Sequence, residues 1–128
     1  TVMAWSPIAK GALTGKYTPE NLPQFQDVRS GEAVFHPKNF REVYRVVEAL
    51  KSMAAKYGKT PAQVALNWLI TSSPVVVPIP GAKSAEQVVE NAGAAGWRLS
   101  AEDWALLDRV SREVRILYSY RYLEREFQ

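Results

Sequence analysis

Residues 75–91, with the sequence VVVPIPGAKSAEQVVEN, constrain the fold of this chain more than any other segment. The continuous apolar run from Val75 to Ile79 predicts a parallel strand that is covered on both faces. A Pro-Gly turn carrying Lys83 follows, and the spacing of Ser84 and Gln87 predicts a helix that opens with a capping box. A helix N-terminus offers unpaired N–H groups and a positive dipole end, and Lys83 adds a full charge. This order therefore predicts an anion site, and we expect a phosphate there.

The composition limits the classes of protein to consider. With 128 residues, 47% of them apolar, the chain suffices for one domain or a piece of one. Its net charge of +3 is not gathered into a basic block, which argues against nucleic acid as a partner. It has no cysteine and one histidine, so we expect no metal site and place His36 in a surface loop. Without a membrane-length apolar run or a signal peptide, no membrane contact is expected and a cytoplasmic location is the default.

The remaining pattern predicts strands that alternate with helices. The first half of the chain is predicted to hold a strand over 1–5, a long loop over 7–37 with one helical turn at 8–16, and helices over 40–57 and 61–70. The second half is predicted to hold the strand over 75–79, a helix over 85–94 and a last helix after Ser100. The last helix has an apolar stripe from Trp104 to Leu117. Such alternation implies βαβ units and a parallel sheet. Two strands cannot close a sheet, and the chain opens inside an apolar run without a starting methionine. The pattern therefore predicts a fragment of a longer protein.

Three segments resemble one family, the aldo-keto reductases. Residues 5–17, WSPIAKGALTGKY, are similar to its seventh-strand loop, and residues 79–91, IPGAKSAEQVVEN, to its eighth-strand loop and helix. Residues 60–69, TPAQVALNWL, match the helix before the eighth strand. The resemblance implies an α/β fold: the C-terminal two βα repeats of a (β/α)8 TIM barrel, incomplete in this chain. Residues 1–117 would form those repeats and the terminal helix, and residues 118–128 a C-terminal tail that helps to shape substrate choice.

The resemblance also implies an NADP(H) site. The implied cofactor-binding residues are Trp5, Ser6, Pro7, Ile8, Ala9, Lys10, Gly11, Leu13, Lys16, Gly81, Lys83, Ser84, Gln87, Glu90 and Asn91. The first nine would wrap the pyrophosphate, its neighbouring sugar and the nicotinamide end, largely through backbone groups. The last six would hold the adenosine 2′-phosphate, the adenine and its ribose. Lys83 favours NADP(H) over NAD(H), whereas Gln87, where many members carry arginine, supplies one cation fewer.

No segment matches the catalytic Asp, Tyr, Lys and His that earlier strands contribute in this family, so no catalytic residue is assigned. The implied activity is the reduction of an aldehyde or ketone to an alcohol by hydride transfer. The expected partners are a small carbonyl substrate and the rest of the barrel. Two alternatives stay open: a non-catalytic nucleotide-binding module, like the channel-associated β-subunits of the family, and an inactive truncated fragment.

Overall fold

The computed structural model describes residues 1–117, and these form two parallel strands with helices packed beside them. In chain order the elements are strand β1 (Val2–Trp5), helices α1 (Pro37–Tyr57) and α2 (Pro61–Ser72), strand β2 (Val76–Ile79), and helices α3 (Ala85–Ala92) and α4 (Ala101–Glu113). Short 3-10 helices at Ala9–Thr14, Val28–Gly31 and Ala33–Phe35 lie in the long loop between β1 and α1. The predicted order of strands and helices is confirmed.

The helix ends follow the capping residues. The predicted capping box of α2 is complete, because the Gln63 N–H donates to the Thr60 hydroxyl at 3.2 Å and the Thr60 N–H donates to the Gln63 side chain at 3.0 Å. Helix α1 ends at Gly58 in the left-handed conformation, as predicted. It begins at Pro37, earlier than expected, because exposed His36 caps it by accepting the Lys38 N–H on Nδ1. His36 thus has a structural role.

Two apolar clusters form the core of the described chain. The main cluster joins α1, α2 and α4, and its buried members are Leu50, Met53, Ala54, Val64, Ala65, Leu99 and Leu107. The second lies between the long loop and α1 and is formed by Ala12, Phe35, Phe40 and Val43. At the edge of the main cluster, the rings of Trp68 and Trp104 stack 5.2 Å apart, and each indole N–H donates to the other's backbone carbonyl. These tryptophans are packing residues, as their apolar spacing indicates.

Buried asparagines tie separate segments together. Asn67 in α2 is fully buried, its amide donates to the carbonyls of Ala94 and Trp97, both at 2.9 Å, and its oxygen accepts the Leu99 N–H at 3.0 Å. Asn39 at the start of α1 similarly donates to the carbonyls of Ala33 and Leu117 and accepts the Leu117 N–H. Each amide uses both donor and acceptor capacity on backbone groups, so each fixes the path of a loop.

The prediction that the strand over 75–79 is covered on both faces is wrong for the described residues. Val77 and Ile79 are 47% and 43% exposed, and their partners in β1, Met3 and Trp5, are 71% and 76% exposed. These four residues share one face, because alternate strand residues point the same way. Helix α2 packs against β2, so within residues 1–117 the sheet has a covering layer on one side only.

The end of the chain also differs from expectation. Helix α3 stops at Ala92 and α4 stops at Glu113, so Leu117 lies beyond the last helix and is 73% exposed rather than part of its core stripe. The predicted tail, 118–128, lies outside the described residues. Across residues 1–117, no helix is both long enough and apolar enough to cross a bilayer.

Candidate functional site

The two motifs singled out in the sequence leave the same edge of the sheet. Trp5, the last residue of β1, pairs with Ile79, the last residue of β2, and the strands run in parallel. The turn that begins at Ser6 and the turn that begins at Pro80 therefore start side by side at the carboxyl ends of the strands. In α/β barrels, this edge carries the active site.

The backbone of the first turn is strained. Ser6, Ala9 and Lys10 have φ angles of 52°, 49° and 53°, which residues with a Cβ rarely adopt, and Gly11 follows at 98°. Two backbone hydrogen bonds close the turn. The Ala9 N–H donates to the Ser6 carbonyl at 2.9 Å, and the Gly11 N–H donates to the Ile8 carbonyl at 3.0 Å. Such conformations cost about 1–3 kcal/mol each and cluster at ligand-binding sites. These conformations could not be predicted from the residue types, since no glycine stands at 6, 9 or 10.

Some side chains of this turn pack into the core, and others lie at the carboxyl edge of the sheet. Ile8 and Leu13 pack against the main cluster, and Pro7 and Leu13 line an apolar cavity of about 150 Å³ beside it. Their side chains thus face the helices rather than the edge of the sheet. The Lys10 ammonium lies 5.8 Å from the centre of the exposed Trp5 ring, and exposed Lys16 lies over Tyr17 at 5.7 Å. The two cations and Trp5 are thus side chains of this segment that do not pack into the main cluster.

The second turn is held by its own helix. The Ser84 hydroxyl accepts the Gln87 N–H at 3.3 Å, as an N-cap does. The Gln87 side chain reaches past Ser84 and accepts the Lys83 N–H at 2.6 Å, so the predicted capping box is only half formed. The Asn91 side chain donates to the Gly81 carbonyl at 3.4 Å. Gln87 and Asn91 therefore brace the turn that carries Lys83, a role that the helix pattern alone did not indicate.

The N-terminus of α3 stabilises negative charge. Lys83, Ser84 and Gln87 are exposed, while Glu90 is half-buried and its carbonyl accepts a bond from Gln63 at 2.9 Å. The pKa of the Glu86 carboxyl is lowered, first by its own backbone N–H and then by the Ser84 hydroxyl. A lowered carboxyl pKa shows that the local donors favour an anion at this helix end.

The long loop returns to the first motif, where Arg29 donates to the Tyr17 hydroxyl at 3.1 Å. The Arg29 guanidinium donates hydrogen bonds to the Asp27 carboxylate at 2.5–3.1 Å. This contact lowers the pKa of the Asp27 carboxyl, and the charge of Lys83 makes a smaller contribution. Glu32, farther along, forms an ion pair with Lys10. Sequence reasoning missed Asp27, Arg29 and Glu32, because no motif contains them and because the contacts of Arg29 with Tyr17 and of Glu32 with Lys10 join residues 12 and 22 positions apart.

One cluster of an Asp, a Lys and a Tyr lies at the contact of α1 and α4. Asp103 is 8% exposed and accepts the Tyr57 hydroxyl at 2.5 Å and the Lys56 ammonium at 2.7 Å. The Ser100 N–H donates to the same Tyr57 oxygen at 2.9 Å. These bonds, first that of Lys56 and then that of Tyr57, lower the pKa of Asp103. The Tyr57 hydroxyl already donates its hydrogen bond to the Asp103 carboxylate. We therefore interpret the cluster as a structural junction between α1 and α4.

Known proteins share both the sequence and this arrangement. A sequence profile described as the Aldo/keto reductase family matches residues 1–112. The chain belongs to the aldo/keto reductase family. An uncharacterized oxidoreductase of Mycobacterium tuberculosis is 42% identical over 122 residues, which are 95% of this chain and 37% of that protein. The aldo-keto reductase yakc [NADP(+)] of Schizosaccharomyces pombe is 32% identical, over 90% of this chain and 32% of its own length.

A solved structure gives the same result for the fold. The glycerol dehydrogenase AKR11B4 of Gluconobacter oxydans superimposes with a TM-score of 0.78 and 26% identity, covering 94% of this chain and 37% of that one. The chain thus spans about a third of the length of these aldo/keto reductase relatives. The expected incomplete α/β barrel is confirmed: two strands and their helices correspond to part of a (β/α)8 barrel.

Proposed function

We propose that this chain is the cofactor-binding part of an NADP(H)-dependent aldo/keto reductase that reduces an aldehyde or ketone to an alcohol. The observation that carries the proposal is the position of both motifs at the carboxyl edge of the paired strands. NADPH supplies a hydride to the carbonyl carbon when it is bound. The residues of this chain bind and orient it.

The residues present fit a dinucleotide phosphate. The first turn exposes a strained backbone next to Lys10, and the second offers Ser84 and the positive end of α3, where a carboxylate is already stabilised. Lys83 carries a charge beside that helix end and would hold the 2′-phosphate that distinguishes NADP(H) from NAD(H). Trp5, exposed on the open sheet face, would lie beside the nicotinamide end.

The rest of the machinery would come from other repeats of the barrel. The exposed apolar face of β1 and β2 supports such a partner, because a closed barrel would cover Met3, Trp5, Val77 and Ile79. The catalytic acid would then stand on an earlier strand, near a small carbonyl substrate. The tail over 118–128 would contribute to substrate choice, and a cytoplasmic location remains the default prediction.

Cofactor titration of Lys83→Ala tests this proposal. Wild-type chain should bind NADPH more tightly than NADH, as measured by calorimetry and by the rise in melting temperature. Lys83→Ala should weaken NADPH binding about tenfold and leave NADH binding unchanged, because one charge-assisted bond to the 2′-phosphate is lost.

Lys38→Ala provides the matched control, since Lys38 is also exposed but lies at the start of α1. It should leave the preference for NADPH intact. Equal loss of NADPH and NADH binding in Lys83→Ala, or no cofactor binding by the wild-type chain, would contradict the proposal.

A further inference from the structure

A carboxylate of the chain faces one of the cations assigned to the cofactor. Glu32 forms an ion pair with Lys10, and the two side chains are only 25% and 27% exposed, so solvent screens the pair incompletely. Lys10 itself sits in the strained turn with φ at 53°. The pair joins the turn after β1 to the long loop, 22 residues later in the chain.

The second motif shows the same pairing of anion and donor. Glu86 lies in the first turn of α3, beside the N-cap Ser84, and the donors there lower the pKa of its carboxyl. Carboxylate and phosphate oxygens accept bonds from the same ammonium and N–H donors. Where phosphates would bind, the chain therefore offers carboxylates of its own.

We propose that Glu32 is an internal competitor for the Lys10 ammonium and thereby sets the affinity for the cofactor pyrophosphate. The inference rests on the proposed function. The pyrophosphate takes the place of the Glu32 carboxylate on Lys10, and binding releases the loop over 27–32 from the turn. Glu32 thus lowers affinity, even though it lies outside both sequence motifs.

In the opposite role, Glu32 would orient Lys10 toward the phosphate. Glu32→Gln would then weaken cofactor binding instead of strengthening it. The pyrophosphate can take Lys10 only after the Glu32 ion pair has broken, and the loss of such a pair corresponds to roughly fivefold in affinity. The pair is stronger in its partly buried setting, whereas Lys10 already has its backbone fixed by the turn. Competition is therefore the larger effect.

Calorimetric titration with NADPH and with inorganic pyrophosphate tests the inference on wild-type chain and on Glu32→Gln. Glu32→Gln should bind both probes roughly fivefold more tightly. Glu20→Gln, which removes an exposed carboxylate from the same loop, is the control for net charge and should change affinity less than twofold. In a Lys10→Gln background, Glu32→Gln should have no larger effect than Glu20→Gln, because the contested ammonium is gone.

Each outcome separates the inference from the proposed function. Wild-type binding of NADPH with equal or weaker binding by Glu32→Gln overturns the role of Glu32 alone. A gain in Glu32→Gln that persists in the Lys10→Gln background also overturns it, because the effect would then bypass Lys10. Absence of NADPH binding in every folded variant, checked by thermal melting, overturns the proposed function and the inference with it.

Discussion

Replacing Asn67 with alanine is expected to lower the free energy of unfolding by about 3–5 kcal/mol. The substitution removes three hydrogen bonds and leaves the carbonyls of Ala94 and Trp97 and the N–H of Leu99 without their partner in a fully buried site. A buried polar group left unsatisfied costs about 1–3 kcal/mol. Chemical denaturation and thermal melting measure the loss, which is a large fraction of the ~5–15 kcal/mol typical of a domain.

Two further variants locate the cause of that loss. Asn67→Asp keeps the size of the side chain but turns the two donated bonds into contacts of a carboxylate with two carbonyls, so it should destabilise at least as much as alanine. Asn21→Ala changes an exposed loop asparagine and should cost about 1 kcal/mol or less. If Asn67→Asp were as stable as wild type, the amide would not be the group that fixes the turn over 94–99.

Local signals in the sequence predicted the helix ends well. Thr60 with Gln63, Ser84, Ser100 and the helix-stopping Gly58 all act where the pattern placed them. These capping contacts join residues that are at most a few positions apart, so the spacing of residues in the sequence is enough to predict them. The same reasoning extended the last helix too far, because the apolar period continues through Leu117 after the helix has ended at Glu113.

The rest of the site depends on contacts between distant segments. Asn67 looks like any polar residue of an apolar helix until its partners over 94–99 are known, and Glu32 looks like a loop acid until it meets Lys10. The left-handed backbone at Ser6 could not be read from a serine either. The motifs predicted where the two turns lie, and the structure adds which groups brace them and that Glu32 pairs with Lys10 of the first turn.

The burial of the strands shows a different limit. A continuous apolar run indicates a strand that has two covering layers in the complete fold, and residues 1–117 supply one of them. The run at 75–79 was therefore informative about the barrel to which the chain is related, while its exposure describes residues 1–117 alone. A sequence pattern indicates the environment to which a segment is suited. It does so even where the residues that would form that environment are not among residues 1–117.

Replacing Asp103 with asparagine is expected to lower stability by about 2 kcal/mol at pH 7, with a loss that fades in acid. The carboxylate accepts bonds from Lys56 and Tyr57, and bonds to a charged group contribute about 1.5–3 kcal/mol. Because these bonds lower the pKa of Asp103 in the folded chain, its contribution is complete above the unfolded value of about 3.9 and is lost as the pH falls through the lower folded value. Denaturation at a series of pH values should show the gap between the two proteins closing below about pH 4.

Lys56→Gln separates the ion pair from the buried part of the junction. The Lys56 side chain is 60% exposed whereas that of Asp103 is 11% exposed, so solvent weakens the ion pair and its loss should lower stability less than Asp103→Asn does. Most of the Asp103→Asn effect should then survive in the Lys56→Gln background, because the Tyr57 hydroxyl then donates to an uncharged amide oxygen instead of a carboxylate. A gap between wild type and Asp103→Asn that stayed constant down to pH 2 would show that the carboxylate charge does not stabilise this junction.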